Sequence, residues 1–452
     1  MTELRQLARF ALEFSLEQAP ESVKKAAKLC VLDSVGAALG AVHSDEIPMI
    51  CRELRIWAKT SSTLQARVWG QGFKLDVFQA LLINGIMGHA LELDDVHTGS
   101  KSHVGAVVVT TAWTLSDGQK NNGKDFLEAV VVGYEIMARV GMAMDVVSNR
   151  KRGWHATGII GTFGAAAAAG RLLGLTEDQM VSALGIAGTQ SSGLWAFLAE
   201  GATCKKLHPA KAAVNGLTAA ILAKAGMTGP EHILDAEDGG LYRAVSDSFN
   251  MSLLTEGLGT GFEILKIDKK PYPCCRTTHH AIDAALALKK ELGPEKLEEI
   301  DAIRVDTYEV GVLQCGFTKY PQSTVEAKFS IPYTVAAALV EGKVSQTEFT
   351  REVLEDTRIK ALAETVSVVS DSMFSARYPD RWGCRMTIRL KDGRALVKQI
   401  DDISGSISCP LTEEQEIAKF RGLAEEAVTE AEAERLVQAI LEIDGAEALP
   451  GI

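Results

Sequence analysis

Apolar residues recur at three- and four-residue spacings over 22–41, 76–93, 104–116, 124–143, 156–174, 176–187 and 209–225. That is the period of a helix with a buried face. Breaks fall where Gly and polar residues cluster, at Ser116-Asp117-Gly118 and Gly226-Met227-Thr228-Gly229-Pro230. Thr176-Glu177-Asp178-Gln179 has the spacing of a capping box, with Thr176 as N-cap and Gln179 three residues on. Near residue 262 the pattern changes. Phe262–Ile267 leads into Lys269-Lys270-Pro271-Tyr272-Pro273, which the prolines hold extended. A helix is predicted over 279–292 and a strand over 299–308. Residues 386–390 and 395–398 flank Lys391-Asp392-Gly393-Arg394, where Asp-Gly signals a hairpin. After Pro410 the chain reads as acidic amphipathic helices through Ile443. The predicted fold is mainly α. A large helical domain is formed by both chain ends (1–264 and 406–452), with a smaller α+β lid domain (265–405) inserted between them.

With 452 residues, more than one domain is expected. Apolar content of 46% and charged content of 23% describe a folded globular chain. A net charge of −12 argues against a nucleic-acid partner, which needs a basic face. It leaves open a small anion held by a few local cations. The eight cysteines include no CxxC pair, which disfavours zinc ribbons and thioredoxin-like chemistry and suggests reduced thiols in the cytoplasm. The first residues, MTELRQLARFALEF, lack a continuous apolar stretch, so no secretory signal is read there. Residues 153–170 carry no formal charge but are mostly Gly, Ala and Thr, which fits a helix packed closely in a bundle better than a membrane span.

The chemistry concentrates in four segments. Gly88–His103 places three carboxylates (Glu92, Asp94, Asp95) and three imidazoles (His89, His97, His103) within sixteen residues, beside an apolar helix. His89, Glu92 and Asp95 follow one another at three-residue spacing, so one helical face can carry them. Arg152-Gly153-Trp154-His155-Ala156-Thr157-Gly158 sets an imidazole at a helix start, where a carboxylate is favoured. In the segment from Glu200 to Lys211, Lys205, Lys206 and His208 precede an apolar helix. Lysine there opposes the helix dipole, and an anion would offset it. In Lys270–Asp283, two prolines precede Cys274, Cys275, Arg276, His279 and His280. A cysteine nucleophile beside His279 and a metal site from Asp94, Asp95, His97 and His103 are weaker readings. Neither has an orienting partner or a tight ligand spacing. Solvated helix ends and capping loops remain the alternative for each segment taken alone.

Together these segments resemble the MmgE/PrpD family, which includes 2-methylcitrate dehydratases, cis-aconitate decarboxylases and iminodisuccinate epimerases. The resemblance runs through NGIMGHALELDDVH with His103, RGWHATGIIGTFGAAAAAGRLLGL, CKKLHPAKAAVNGLTAAILA, KKPYPCCRTTHHAIDAAL and PQSTVEAKFSIPY, in the family's order. It implies a homodimer whose protomer has a helical domain and a smaller lid, with the active site between them. It also implies chemistry without cofactor or metal on small di- or tricarboxylates. Active-site positions of the decarboxylase branch match Asp94 and Asp95, His103, His155, Lys205 and His279. Glu92 falls where that branch has an aspartate. The branch's loop threonine aligns with Val96, with Thr98 as the substitute, and a lid tyrosine aligns with Cys315. His103-Val104-Gly105 and His208-Pro209-Ala210 also depart from the family's usual motifs.

Dehydration, decarboxylation and epimerisation beside a carboxylate all build negative charge on carbon, which needs cationic stabilisers and a placed proton donor or acceptor. Lys205 is the expected carboxylate anchor, with Lys206, Lys270 and Arg276 assisting and Glu92 and Thr98 lining the site. His103 and His155 are the expected acid–base pair, Asp94 or Asp95 an orienting group or base, and His279 the lid-side contribution. The leading expectation is a lyase. An epimerase of an imino- or amino-dicarboxylate and a non-catalytic carboxylate-binding protein are the alternatives.

Overall fold

The computed structural model describes residues 1–44, 46–58 and 64–452, apart from the side chains of 294 and 295. The chain forms two compact units. The first comprises Met1–Trp195, Cys204–Lys269 and Thr412–Ile452, and the second Ala196–Thr203 and Lys270–Leu411. The periodicity does not signal that the short segment 196–203 groups with the second unit. Mainly α describes the whole: twenty α-helices and eight short strands lie among the described residues.

The first unit is built around the helices Val77–Ala90, Gly105–Gln119, Gly123–Ala143, Ala156–Leu172 and Leu207–Lys224. Ala156–Leu172 is buried from Ala156 to Gly170, because its Gly, Ala and Thr side chains let neighbouring helices approach on every side. A Cβ on Gly216 would overlap Ala165 and lie 2.6 Å from both the Ala166 nitrogen and the Thr162 carbonyl oxygen. Helix ends follow local chemistry. Asn122 caps Gly123–Ala143 through the Asp125 N–H, and the capping box of Thr176 and Gln179 forms as the spacing predicts. The helix Glu413–Ala424 packs on Glu21–Leu39, with Phe420 against Gly36. Two departures from the all-helical expectation occur here. Gln65–Val68 pairs with Phe73–Asp76 as a small hairpin, and Val96–His97 pairs antiparallel with Ile267–Asp268. Both depend on pairings too short to leave a periodic signal. Among the described residues no helix is long and apolar enough to cross a membrane.

The second unit holds a four-stranded sheet in the order Val366–Ser370, Ile300–Thr307, Cys384–Leu390, Ala395–Ile400. The first pair is parallel and the others antiparallel. The Asp392-Gly393 hairpin is present, with Gly393 at φ 90° where a side chain would be strained. The helix His279–Leu292 packs on the last two strands.

We expect Gly216→Ala to destabilise the first unit by about 1–3 kcal/mol, because the added methyl meets backbone atoms that cannot move aside. Urea unfolding of the two proteins measures this. An unchanged midpoint would mean that the helices separate more easily than their packing suggests.

Candidate active site

The helix Val77–Ala90 carries His89 in its last turn. It ends through Glu92, whose φ of 57° lies in the left-handed region. A non-glycine residue there costs roughly 1–3 kcal/mol and persists only where surroundings hold it. Those surroundings are a hydrogen-bonded chain. Lys205 Nζ donates to Glu92 Oε1 at 2.5 Å and to His89 Nε2 at 2.9 Å. His89 Nδ1 donates to Asp94 Oδ2 at 2.8 Å, and His103 Nδ1 lies 3.2 Å from the same oxygen. The Asp95 carbonyl oxygen lies 3.0 Å from His103 Nδ1. Thr157 Oγ1 accepts the His103 backbone N–H.

This chain fixes proton positions. A carbonyl oxygen only accepts, so His103 carries its proton on Nδ1, and proton transfer by that ring runs through Nε2. His89 accepts from the lysine ammonium at Nε2, so its proton is also on Nδ1, facing Asp94. Burial alone would raise the Asp94 pKa. The adjacent imidazoles and their hydrogen bonds outweigh it and hold the carboxyl well below the usual range. Its second oxygen, Oδ1, is buried and has no hydrogen-bond partner among the described residues.

Asp95 faces elsewhere. Its Oδ1 accepts the Gly105 N–H at 2.9 Å and its Oδ2 accepts the Tyr134 hydroxyl at 2.5 Å. Both carboxylate oxygens thus serve partners outside the imidazole group, and the contact with His103 comes from the main chain. Burial is the main reason its pKa rises to about 6; the nearby Asp33 carboxylate adds to this, and Lys269, Tyr134 and Gly105 oppose it.

His155 stands at the N-cap of Ala156–Leu172, and its Nδ1 lies 3.0 Å from His208 Nδ1. The Trp195 ring meets it edge-on at 5.6 Å. Burial, then the Lys205 charge and the neighbouring imidazoles, hold His155 well below the ordinary histidine pKa. The same forces bring His208 to about 4. Both rings are therefore neutral at neutral pH.

Other expected residues are engaged differently. Thr98 donates to Asp268 Oδ2, His97 binds Ser100 and Glu263, and Lys206 pairs with Glu46. Among the described residues, the group of metal-capable atoms within 4.8 Å of one another is His89, Asp94 and His103, so the donor set read from sequence, with Asp95 and His97, does not assemble there. In the second unit, His279 begins its helix fully buried. Its Nε2 donates to the Cys274 carbonyl at 3.3 Å, and its Nδ1 has no partner among the described residues. Lys270 and Arg276 are also buried there, with the guanidinium 5.6 Å from the Trp382 ring. Burial pushes the Cys274 thiol up to about 12, which opposes the nucleophile reading.

Comparison with known proteins matches a profile described as MmgE/PrpD N-terminal domain over residues 5–254, and one described as MmgE/PrpD C-terminal domain over 272–444. The chain belongs to the MmgE/PrpD family. It is 27% identical to the cis-aconitate decarboxylase-like protein oryM of Aspergillus oryzae, over 97% of this chain and 94% of that protein. It is also 27% identical to a cis-aconitate decarboxylase of Homo sapiens, over 94% of this chain and 89% of that one. Identity to a 2-methylcitrate dehydratase of Salmonella typhimurium is 25%, over 81% of this chain and 78% of that one. Like these MmgE/PrpD relatives, the chain is an enzyme of the lyase type.

Two members of this cluster were noticed in the sequence but given no role there. His89 binds both Lys205 and Asp94, and His208 binds His155. Each had a local signal: His89 precedes Glu92 by three residues, and His208 follows Lys205 by three. Tyr134 had none, because its partner Asp95 is 39 residues away.

The raised Asp95 pKa has a definite sign in stability. Its contribution is fully present below the unfolded value of 3.8 and is lost as pH rises through about 6. Asp95→Asn, which preserves an acceptor for Gly105, should therefore gain on the parent between pH 4 and pH 7 by on the order of 2–3 kcal/mol. Urea unfolding at both pH values measures the difference. A pH-independent difference would contradict the assignment.

Proposed function

We propose that this protein is a cofactor-independent lyase that dehydrates or decarboxylates a small di- or tricarboxylate. The chemistry is acid–base catalysis by histidine and aspartate, with lysine and arginine binding the carboxylates. The names of the decarboxylase and dehydratase relatives support this class. The observation that carries it is the chain from Glu92 through Lys205, His89 and Asp94 to His103. It sets an ammonium, an ionised carboxylate and a ring with one defined working nitrogen side by side.

Removing carbon dioxide, or a proton beside a carboxylate, leaves an electron pair on carbon that delocalises into a neighbouring carboxylate. Lys205 stabilises that charge. Because Glu92 already pairs with Lys205, an incoming carboxylate shares the ammonium with Glu92 or replaces it. The helices starting at Gly105, Ala156 and Leu207 present their N-termini beside His103, His155 and Lys205, which further favours an anion. His103 exchanges a proton through Nε2, with Asp94 holding the ring. The unpartnered oxygen of Asp94 is an acceptor for a substrate hydroxyl. Neutral His155 serves as the second proton-transfer group. Within the second unit, His279, whose Nδ1 has no partner among the described residues, is retained as a proposed catalytic residue, with Lys270 and Arg276 as proposed carboxylate-binding cations.

Proton NMR of the enzyme in deuterated buffer, with chelator present, tests the class on 2-methylcitrate, citrate, cis-aconitate and iminodisuccinate stereoisomers. New olefinic or itaconate-like signals are expected. Deuterium exchange without net conversion would replace the lyase with an epimerase, and silence would count against this substrate class. On the substrate found, His103→Ala should lower kcat by about 10²–10⁴-fold. Lys205→Ala should raise KM roughly tenfold to a hundredfold. Full turnover and affinity in both variants would refute the site.

A further inference from the structure

His155 and His208 are 53 residues apart in sequence, yet their Nδ1 atoms are 3.0 Å apart. Two nitrogens at that distance share one proton, donated by one ring and accepted by the other. The surroundings are shaped around this contact. The Gly193 carbonyl oxygen accepts the His155 backbone N–H at 3.0 Å. Gly193 itself, at φ 122°, lies so close to His208 that a Cβ would come within 3.3–3.4 Å of the ring. A Cβ on Gly158, in the helix that His155 caps, would overlap the Ser192 carbonyl. His155 is buried, whereas His208 is partly exposed. The pair therefore links an interior imidazole to the solvent side, and neither the family comparison nor the roles assigned above uses His208.

We propose that His155 and His208 form a two-ring proton relay that carries a solvent proton to the reacting carbon. The starting state has the shared proton on His208 Nδ1 and a second proton on His155 Nε2. Water-borne H⁺ adds to His208 Nε2, the Nδ1 proton crosses to His155 Nδ1, and the Nε2 proton of His155 bonds to the carbanionic carbon. One proton enters from solvent and one reaches the substrate, and both rings end neutral with their tautomers exchanged. When His155 Nε2 takes up a proton, the passage reverses and resets the pair. Neutral rings suit this role, since each must hold a lone pair to receive the next proton.

The relay rests on the lyase reading: a decarboxylation consumes the proton it delivers to carbon, and in a dehydration the same passage run in reverse carries off the proton taken from carbon. The first test is turnover by His208→Ala and His208→Gln with the substrate found above. Both should lose about tenfold or more in kcat with KM little changed. Added imidazole should restore His208→Ala in a saturable way, and Gln, which bonds but cannot relay, should not recover the rate. Parental kcat in both variants, a full rate in His208→Gln, or a loss that imidazole does not repair would overturn the relay. A second readout needs no substrate. In full-length protein labelled with ¹⁵N-histidine, the two Nδ1 nuclei should show a coupling across the shared proton that disappears in His208→Gln. Absence of that coupling in the parent would overturn the relay even if the enzyme proves to be a lyase. Its presence in a protein inert towards every carboxylate would uphold the pair while refuting the proposed reaction.

Discussion

The Asp94 carboxylate, ionised and fully buried, governs the polar centre of the first unit. Moving a carboxylate out of water is unfavourable by several kcal/mol unless hydrogen bonds replace its hydration. The Nδ1–H groups of His89 and His103 provide that replacement on one oxygen. Their orientation towards Asp94 turns the opposite nitrogen of each ring outward from the carboxylate. For His89 that nitrogen meets Lys205, and Lys205 in turn holds Glu92 in its left-handed conformation. One buried charge thus propagates through four side chains, each fixed by the donor or acceptor requirement of the last.

Such a centre can exist because the helices around it are packed through small residues. Helix ends carry unsatisfied main-chain groups that polar residues complement. His89 lies at the end of Val77–Ala90, His103 just before Gly105–Gln119, His155 before Ala156–Leu172, and Lys205 and His208 around the start of Leu207–Lys224. Ala and Gly on the facing surfaces bring these four ends within hydrogen-bond reach. The core and the site are therefore one construction: the residues with almost no side chain determine where the charged ones meet.

Much of this was legible before any coordinates. The helices over 76–93, 104–116, 124–143, 156–174 and 209–225 correspond to observed helices whose ends differ by a few residues. The capping box at Thr176 and the hairpin at Asp392-Gly393 form as their local chemistry requires. The segments that hold the acidic cluster, His103, His155 and Lys205 stand out by residue type, whereas the choice of these residues for the site rests on the resemblance to the MmgE/PrpD family. Less legible were Gln65–Asp76, whose strands of four residues are too short for a periodic signal, and the pairing of Val96–His97 with Ile267–Asp268, which joins distant parts of the chain.

By itself the sequence determined the helical period, the caps and turns, and the supply of imidazoles, carboxylates and lysines near helix ends, since all of these depend on neighbours within a few residues. Only the tertiary structure decided how those groups were used. Asp94 and Asp95 are adjacent and chemically alike, yet one faces the imidazoles while the other faces Tyr134 and Gly105. His208 resembled a turn residue until its ring met His155. The direction of a side chain out of an irregular loop, and the identity of the partner it reaches, are set by long-range packing, on which local pattern carries no information.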